Sequence, residues 1–226
     1  RQGLERVVCV LQEVSSVYDT DLFSQIIKRI SEISGSVYGE SEQTTRAFRI
    51  VADHVRSAAF MIGDQRGVSP SNVDQGYILR RLIRRALRFA MKLGMPDRSL
   101  SRVAETVVEQ FGGLYPELAA NRQRIISELD MEEERFKRTL NNGMREFDRI
   151  KGGFPNGVID GKSAFRLYDT FGFPIEFTQE MARENGLLVD TEGFSAAFEE
   201  HQKKSQAGAE QRFKGGLADN LSLIHI

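Results

Sequence analysis

Tyr77-Ile78-Leu79-Arg80-Arg81-Leu82-Ile83-Arg84-Arg85-Ala86-Leu87-Arg88-Phe89-Ala90-Met91-Lys92 decides the class of fold. Apolar pairs alternate with arginine pairs at a period near four residues, a pattern that only a helix sorts onto separate faces. At about 100° per residue, Ile78, Leu79, Leu82, Ile83, Ala86, Leu87, Ala90 and Met91 share one side. Arg80, Arg81, Arg84, Arg85, Arg88 and Lys92 fill the other, and no acid lies between Tyr77 and Lys92. A row of like charges without an intervening Glu gains nothing from i,i+4 pairing and repels itself. Two readings stand. A merely solvated face normally mixes signs, whereas a surface that tracks phosphates is basic throughout.

Working outward, the helical period continues on both sides. Upstream, Phe48, Val51, Val55, Ala58, Ala59 and Ile62 form one stripe and predict a helix over about 45–62. Gly63 to Asn72 is rich in turn formers and reads as the loop that delivers the chain to the arginine helix. Gly94 and Pro96 end that helix, and Ser99 to Phe111 is the next, closed by Gly112-Gly113. From Leu118, the residues Ile125, Leu129, Phe136, Leu140, Phe147 and Ile150 predict a helix of about 30 residues, which Gly143 weakens locally. Near the start, Leu4 to Gln12 and Leu22 to Ile33 are helical, with Asp19 and Asp21 as candidate caps. Beyond the breaker Gly152 to Gly157, short helices are expected at Ser163–Tyr168 and Thr178–Asn185, then a polar helix over Glu192–Gln206. Strand signals are few, so the class is mainly α.

Composition limits the chemistry. The 226 residues carry a net charge of −1, yet charge is unevenly placed. Thr44 to Arg98 holds 11 Lys/Arg against 4 Asp/Glu, whereas Glu176 to Glu210 holds 3 against 8. A basic segment is diluted by an acidic one. Cys9 is the single cysteine and His54, His201 and His225 the only histidines, so neither a disulfide nor a thiolate or histidine-rich metal site is expected. No apolar run approaches the roughly 18 residues of a membrane span, and a cytoplasmic setting fits. The chain opens on Arg1 and closes on Leu221-Ser222-Leu223-Ile224-His225-Ile226, which resembles a translated sequencing adaptor. A fragment with an artefactual, disordered tail over 216–226 is expected.

Several motifs compete with simpler explanations. Gly161-Lys162-Ser163 lacks the Gly five residues before its own Gly that a phosphate-binding loop requires; Asn156 stands there. Asp53-His54 lacks further metal ligands, and a hydrogen-bonded helix histidine is expected; Cys9 reads as a buried thiol. Gly3-Leu4-Glu5-Arg6 opens a helix whose N-terminus favours anions, so it could face a polyphosphate. Asn72, in Ser69-Pro70-Ser71-Asn72, is either a turn or cap residue or a carboxamide placed to read a base edge. Asp169, in Leu167-Tyr168-Asp169-Thr170-Phe171-Gly172-Phe173-Pro174, is either a cap or a loop carboxylate able to accept from an exocyclic amine.

Taken in order, Gly3-Leu4-Glu5-Arg6, Tyr18-Asp19-Thr20-Asp21-Leu22-Phe23, Arg49 to Arg56, Pro70-Ser71-Asn72, Gly76-Tyr77 with the arginine helix, and Phe165 to Pro174 resemble the bacterial-type alanyl-tRNA synthetase family. The resemblance implies a helical tRNA-recognition domain over 41–215, preceded by a remnant of a class II catalytic domain over 1–40. It places Gly3, Glu5 and Arg6 at the end of motif 3, where ATP binds with Mg. It assigns Asn72 and Asp169 to reading a G·U pair in the acceptor stem of tRNA(Ala), with Arg84 and its neighbours Arg80, Arg81, Arg85 and Arg88 holding the RNA. Motifs 1 and 2, and a zinc-binding editing domain, would lie outside these residues, so the fragment alone is expected to be catalytically incomplete. The parent activity implied is ATP-dependent attachment of alanine to tRNA. The rivals are a non-catalytic helical RNA- or DNA-binding module and a helical protein scaffold.

Overall fold

The computed structural model describes residues 3–203, and its two compact units meet within one helix, after Arg138. The adaptor-like tail lies outside the described residues, as does the end of the helix expected to reach Gln206. In the first unit, α1 (Leu4–Leu11) is followed by α2 (Asp21–Ser34) and α3 (Glu42–Gly63). Ser41 Oγ caps α3 by accepting from the Thr44 amide at 3.1 Å. Then come α4 (Asp74–Lys92), α5 (Ser99–Phe111), the short α6 (Pro116–Ala120) and α7 (Arg122–Lys151). The long helix expected from Leu118 is thus broken at Asn121, whose Nδ2 donates to the Gly63 carbonyl at 3.0 Å.

The predicted stripes become the core. Phe48, Val51, Val55 and Ile62 of α3 meet Leu79, Ile83 and Leu87 of α4, and Leu100, Val103 and Val107 of α5 close the layer; all are essentially buried. Burying each such side chain contributes about 1.5–3 kcal/mol, so this interhelical layer dominates the unit's stability. In α2, Phe23, Ile26 and Ile30 are buried, packing that helix onto α3 and α5. By contrast α1 buries nothing: Leu4, Val7, Val10 and Leu11 are exposed, and Cys9 is only half-buried rather than the core thiol expected.

The second unit begins at Thr139, inside α7, and continues through β1 (Val158–Ile159), α8 (Gly161–Phe171), α9 (Ile175–Glu184), β2 (Leu188–Val189) and α10 (191–203). The strands form a two-residue parallel pair, Val158 opposite Leu188 and Ile159 opposite Val189. Asp160 caps α8, taking the Ser163 amide and hydroxyl at 2.9 Å each. A carboxylate therefore occupies the Gly161-Lys162-Ser163 turn that a phosphate would need. α7 runs through Gly143 unbroken, and the missing side chain makes room for the Phe173 ring, which a Cβ there would approach to 2.5 Å. Phe173 in turn meets Phe177 edge-on at 4.7 Å. Among the described residues no helix is long and apolar enough to cross a membrane.

Candidate nucleic-acid interface

The arginines of α4 do not form one open row. Arg84 is 8% exposed and Arg88 7% exposed, whereas Ile78 and Met91, expected on the apolar side, are 43% and 46% exposed. At Arg84 the reason is α7, which packs against that side of α4 and brings the missing acid. Glu132 is buried; its Oε1 accepts from Arg84 Nε at 2.7 Å and lies 2.6 Å from Arg84 Nη2 and 3.3 Å from Arg80 Nε. The Arg84 guanidinium also lies 4.9 Å from the centre of the Phe136 ring. Charge compensation is therefore long-range, from a residue 48 positions away.

Towards the end of α4, Arg46, Arg85, Arg88 and Lys92 stand 5.3–5.7 Å from the ring of Phe89. Arg46 and Lys92 are exposed there, so positive charge is concentrated where the helix dipole favours it. Arg85 Nη1 faces His54 Nε2 at 3.0 Å, and His54 Nδ1 faces Asp53 Oδ2 at 3.1 Å. Since a guanidinium only donates, Nε2 must accept, and the proton sits on Nδ1. His54 is the hydrogen-bonded helix histidine expected.

The loop before α4 is strapped down residue by residue. The Arg124 guanidinium occupies the space where a Gly67 side chain would stand. Ser69 Oγ donates to Glu128 Oε1 at 2.8 Å. Arg80 Nη2 donates to the Pro70 carbonyl at 3.2 Å, and Arg80 Nη1 donates to Asn72 Oδ1. The Ser71 amide donates to the Gly76 carbonyl at 3.1 Å, folding the loop back onto the first turn of α4. Gly76 permits this approach: a Cβ there would lie 2.1 Å from Ser71 Oγ and 2.7 Å from the Ser69 carbonyl. Asn72 itself is exposed and caps nothing; the N-cap position belongs to Val73, whose amide is served by Ser71 Oγ at 3.3 Å.

In the second unit, Asp169 lies in the last turn of α8 rather than on a loop, and it is exposed. Gly172, at φ 69°, ends that helix one residue past Phe171. A carboxylate at a helix C-terminus faces the negative end of the dipole and gains no stability from it. His201 Nε2 lies 3.7 Å away. Beside it Tyr168 turns into a cluster with Phe194 and Phe198, at 5.7 and 5.5 Å.

At the start of the chain, Gly3 is the N-cap of α1, and its carbonyl accepts from the Arg6 amide at 3.1 Å. Glu5 pairs with Arg56 at 3.5 Å, while Arg6 is exposed. The residues that sequence reasoning missed are Arg124, Glu128 and Glu132, which rise along one edge of α7 at four-residue steps. One signal was available: Glu132 falls in the apolar stripe of Ile125, Leu129, Phe136 and Leu140, a slot where a lone charge needs a partner.

The chain belongs to the class II tRNA synthetases: the family described as tRNA synthetases class II (A) matches residues 2–222. Within that class its likeness is to alanine–tRNA ligases. It is 49% identical over 217 residues to that of Borrelia garinii subsp. bavariensis, covering 96% of this chain and 36% of the relative. Against the alanine–tRNA ligase of Treponema denticola the identity is 50% over 221 residues, 96% of this chain and 37% of the relative. Against that of Thermotoga maritima it is 46% over 205 residues, 91% and 23%. The chain thus spans little more than a third of the length of the first two relatives.

Proposed function

We propose that this chain is the segment of an alanine–tRNA ligase that holds the acceptor stem of tRNA(Ala) and reads a G·U pair there. The observation that carries the reading is Asn72: an exposed carboxamide, strapped to the basic helix by its loop, that caps no backbone group. RNA helices show base edges and 2′-hydroxyls in a wide, shallow minor groove, and a G·U wobble leaves the guanine 2-amino group without a Watson–Crick partner. A carboxylate accepts from that amine where arginine cannot, which is the role given to Asp169. Arg81 and Arg85, with the buried Arg84 and Arg88 behind them, supply the positive field that keeps phosphates close.

The likeness in sequence extends the proposal to the longer protein: ATP and Mg would activate alanine, which is then transferred to tRNA in the cytoplasm. Gly3, Glu5 and Arg6 would stand at the edge of that ATP site, with Arg6 the exposed cation for a phosphate. The test is binding to two acceptor-stem hairpins, one with G·U and one with G·C, at two salt concentrations. The expected result is tighter binding of the G·U hairpin, with the preference lost in Asp169→Ala and in Asn72→Ala while the salt slope is kept. Equal, salt-steep binding of both hairpins would leave a general nucleic-acid module and refute the reading.

A further inference from the structure

We infer that Arg80 is a positioning residue that makes Asn72 an obligate hydrogen-bond donor, and that buried Glu132 holds Arg80 to this task. The inference rests on the reading of Asn72 as an RNA-contacting residue. A carboxamide presents an acceptor at one end and a donor at the other, and a free Asn side chain can offer either by turning over. A guanidinium has donors only. With Arg80 Nη1 against it, the Asn72 oxygen must face inward, and the NH2 group is turned away from Arg80 towards solvent.

Arg80 is in no position to release it. Its side chain is 17% exposed; Nη2 donates to the Pro70 carbonyl at 3.2 Å, and Nε lies 3.3 Å from Glu132 Oε1. Glu132 is itself fixed by Arg84 and has no exposed surface on its side chain. The same edge of α7 fixes the loop upstream, through Glu128 on Ser69 and Arg124 on Gly67. One rigid helix edge therefore sets both the place of Asn72 and the way its amide points, the pre-organisation a selective contact needs.

The chemistry of the contact follows. An outward NH2 is matched by an acceptor in the minor groove, such as a pyrimidine O2 or a ribose 2′-oxygen. It cannot serve the guanine 2-amino group, which is itself a donor. Arg80, grouped in the sequence with the phosphate-holding arginines, leaves that group and acts through Asn72.

The test compares hairpin binding by the whole chain with four variants. Asn72→Asp keeps an oxygen for Arg80 and replaces only the outward NH2; Asn72 is exposed, so the fold is not at risk. The G·U to G·C preference should fall on the order of tenfold, the scale of one lost base-pair contact, and match Asn72→Ala. A wild-type preference in Asn72→Asp would overturn the donor assignment. Arg80→Gln, which can donate or accept and so no longer fixes the amide, should lower the preference while changing the salt slope by at most about one. Glu132→Gln should shift the preference in the same direction. Equal weakening of both hairpins by Arg80→Gln, with the preference intact, would make Arg80 a phosphate ligand and overturn the inference. If Asn72→Ala itself keeps the wild-type preference, the reading of Asn72 as an RNA contact fails and this inference falls with it.

Discussion

Replacing Glu132 by Gln should destabilise the first unit by about 3 kcal/mol, at the lower end of what removing one partner from a buried ion pair costs. The substitution keeps volume and an acceptor oxygen, so what is lost is charge. Glu132 is 1% exposed and Arg84 8% exposed, with their closest atoms 2.6 Å apart. A unit charge pair about 4 Å apart contributes about 4 kcal/mol at an effective dielectric of about 20. The neutral amide recovers part of that because it is cheaper to bury. Arg84 recovers nothing, since a guanidinium does not deprotonate and stays charged in its buried place. For a protein of this size the thermal midpoint moves by about 2–4 °C per kcal/mol, so a fall of about 6–12 °C is expected by far-ultraviolet circular dichroism. The fall should persist in about 1 M salt, because water and ions do not reach the pair. Arg84→Met with Glu132→Met should regain most of the loss, since the two buried charges of the pair are then removed together. A shift below about 2 °C, or one that salt abolishes, would refute the assignment of Glu132 as the buried counter-ion of α4.

Two further outcomes follow from the same geometry. Gly76→Ala should cost about 1–3 kcal/mol, because the new Cβ meets the Ser69 carbonyl at 2.7 Å and backbone must shift; the G·U preference should drop with an unchanged salt slope, measured on the two hairpins. In the second unit, the hydrogen bond from Arg149, opposed by burial and helped by the charges of Arg149 and Arg166, holds the Glu146 carboxyl below its ordinary value of 4.5. A carboxylate whose pKa is lowered on folding stabilises fully above its unfolded value and loses that contribution as pH falls through the folded one. The thermal midpoints of wild type and Glu146→Gln should therefore differ by a constant amount near neutrality and converge below pH 4.5; a gap that widens on acidification would contradict the pairing.

Local pattern carried most of the fold. Ser99–Phe111 was legible end to end, because its apolar stripe and the Gly112 that follows are neighbours in the chain. The Phe171-Gly172-Phe173-Pro174 breaker misled in one respect: it stopped the reading of α8 at Tyr168, whereas the helix runs to Phe171 before Gly172 turns it. Asp169 therefore moved from loop to helix end. The break at Asn121 was not legible, since its cause is a hydrogen bond to Gly63, 58 residues away.

The site shows the same division between what local pattern carries and what it cannot. A period of four in Arg80, Arg81, Arg84, Arg85 and Arg88 sorts residues by helix face, but it cannot say which face meets solvent. That depends on the partner helix, and α7 arrives with an acid in a core slot. Burying Arg84 without Glu132 would strand a charge, and burying Glu132 without arginine would do the same; each is tolerable only because of the other. The pair, once formed, leaves Arg80 at its edge with two donors to spare, and those donors hold the Pro70 carbonyl and the Asn72 amide. The exposed residue that the motifs point to is thus the visible end of a chain of buried charges whose trace in the sequence is Glu132 in the apolar stripe of α7. Selectivity at Asn72 should accordingly respond to residues that never touch RNA.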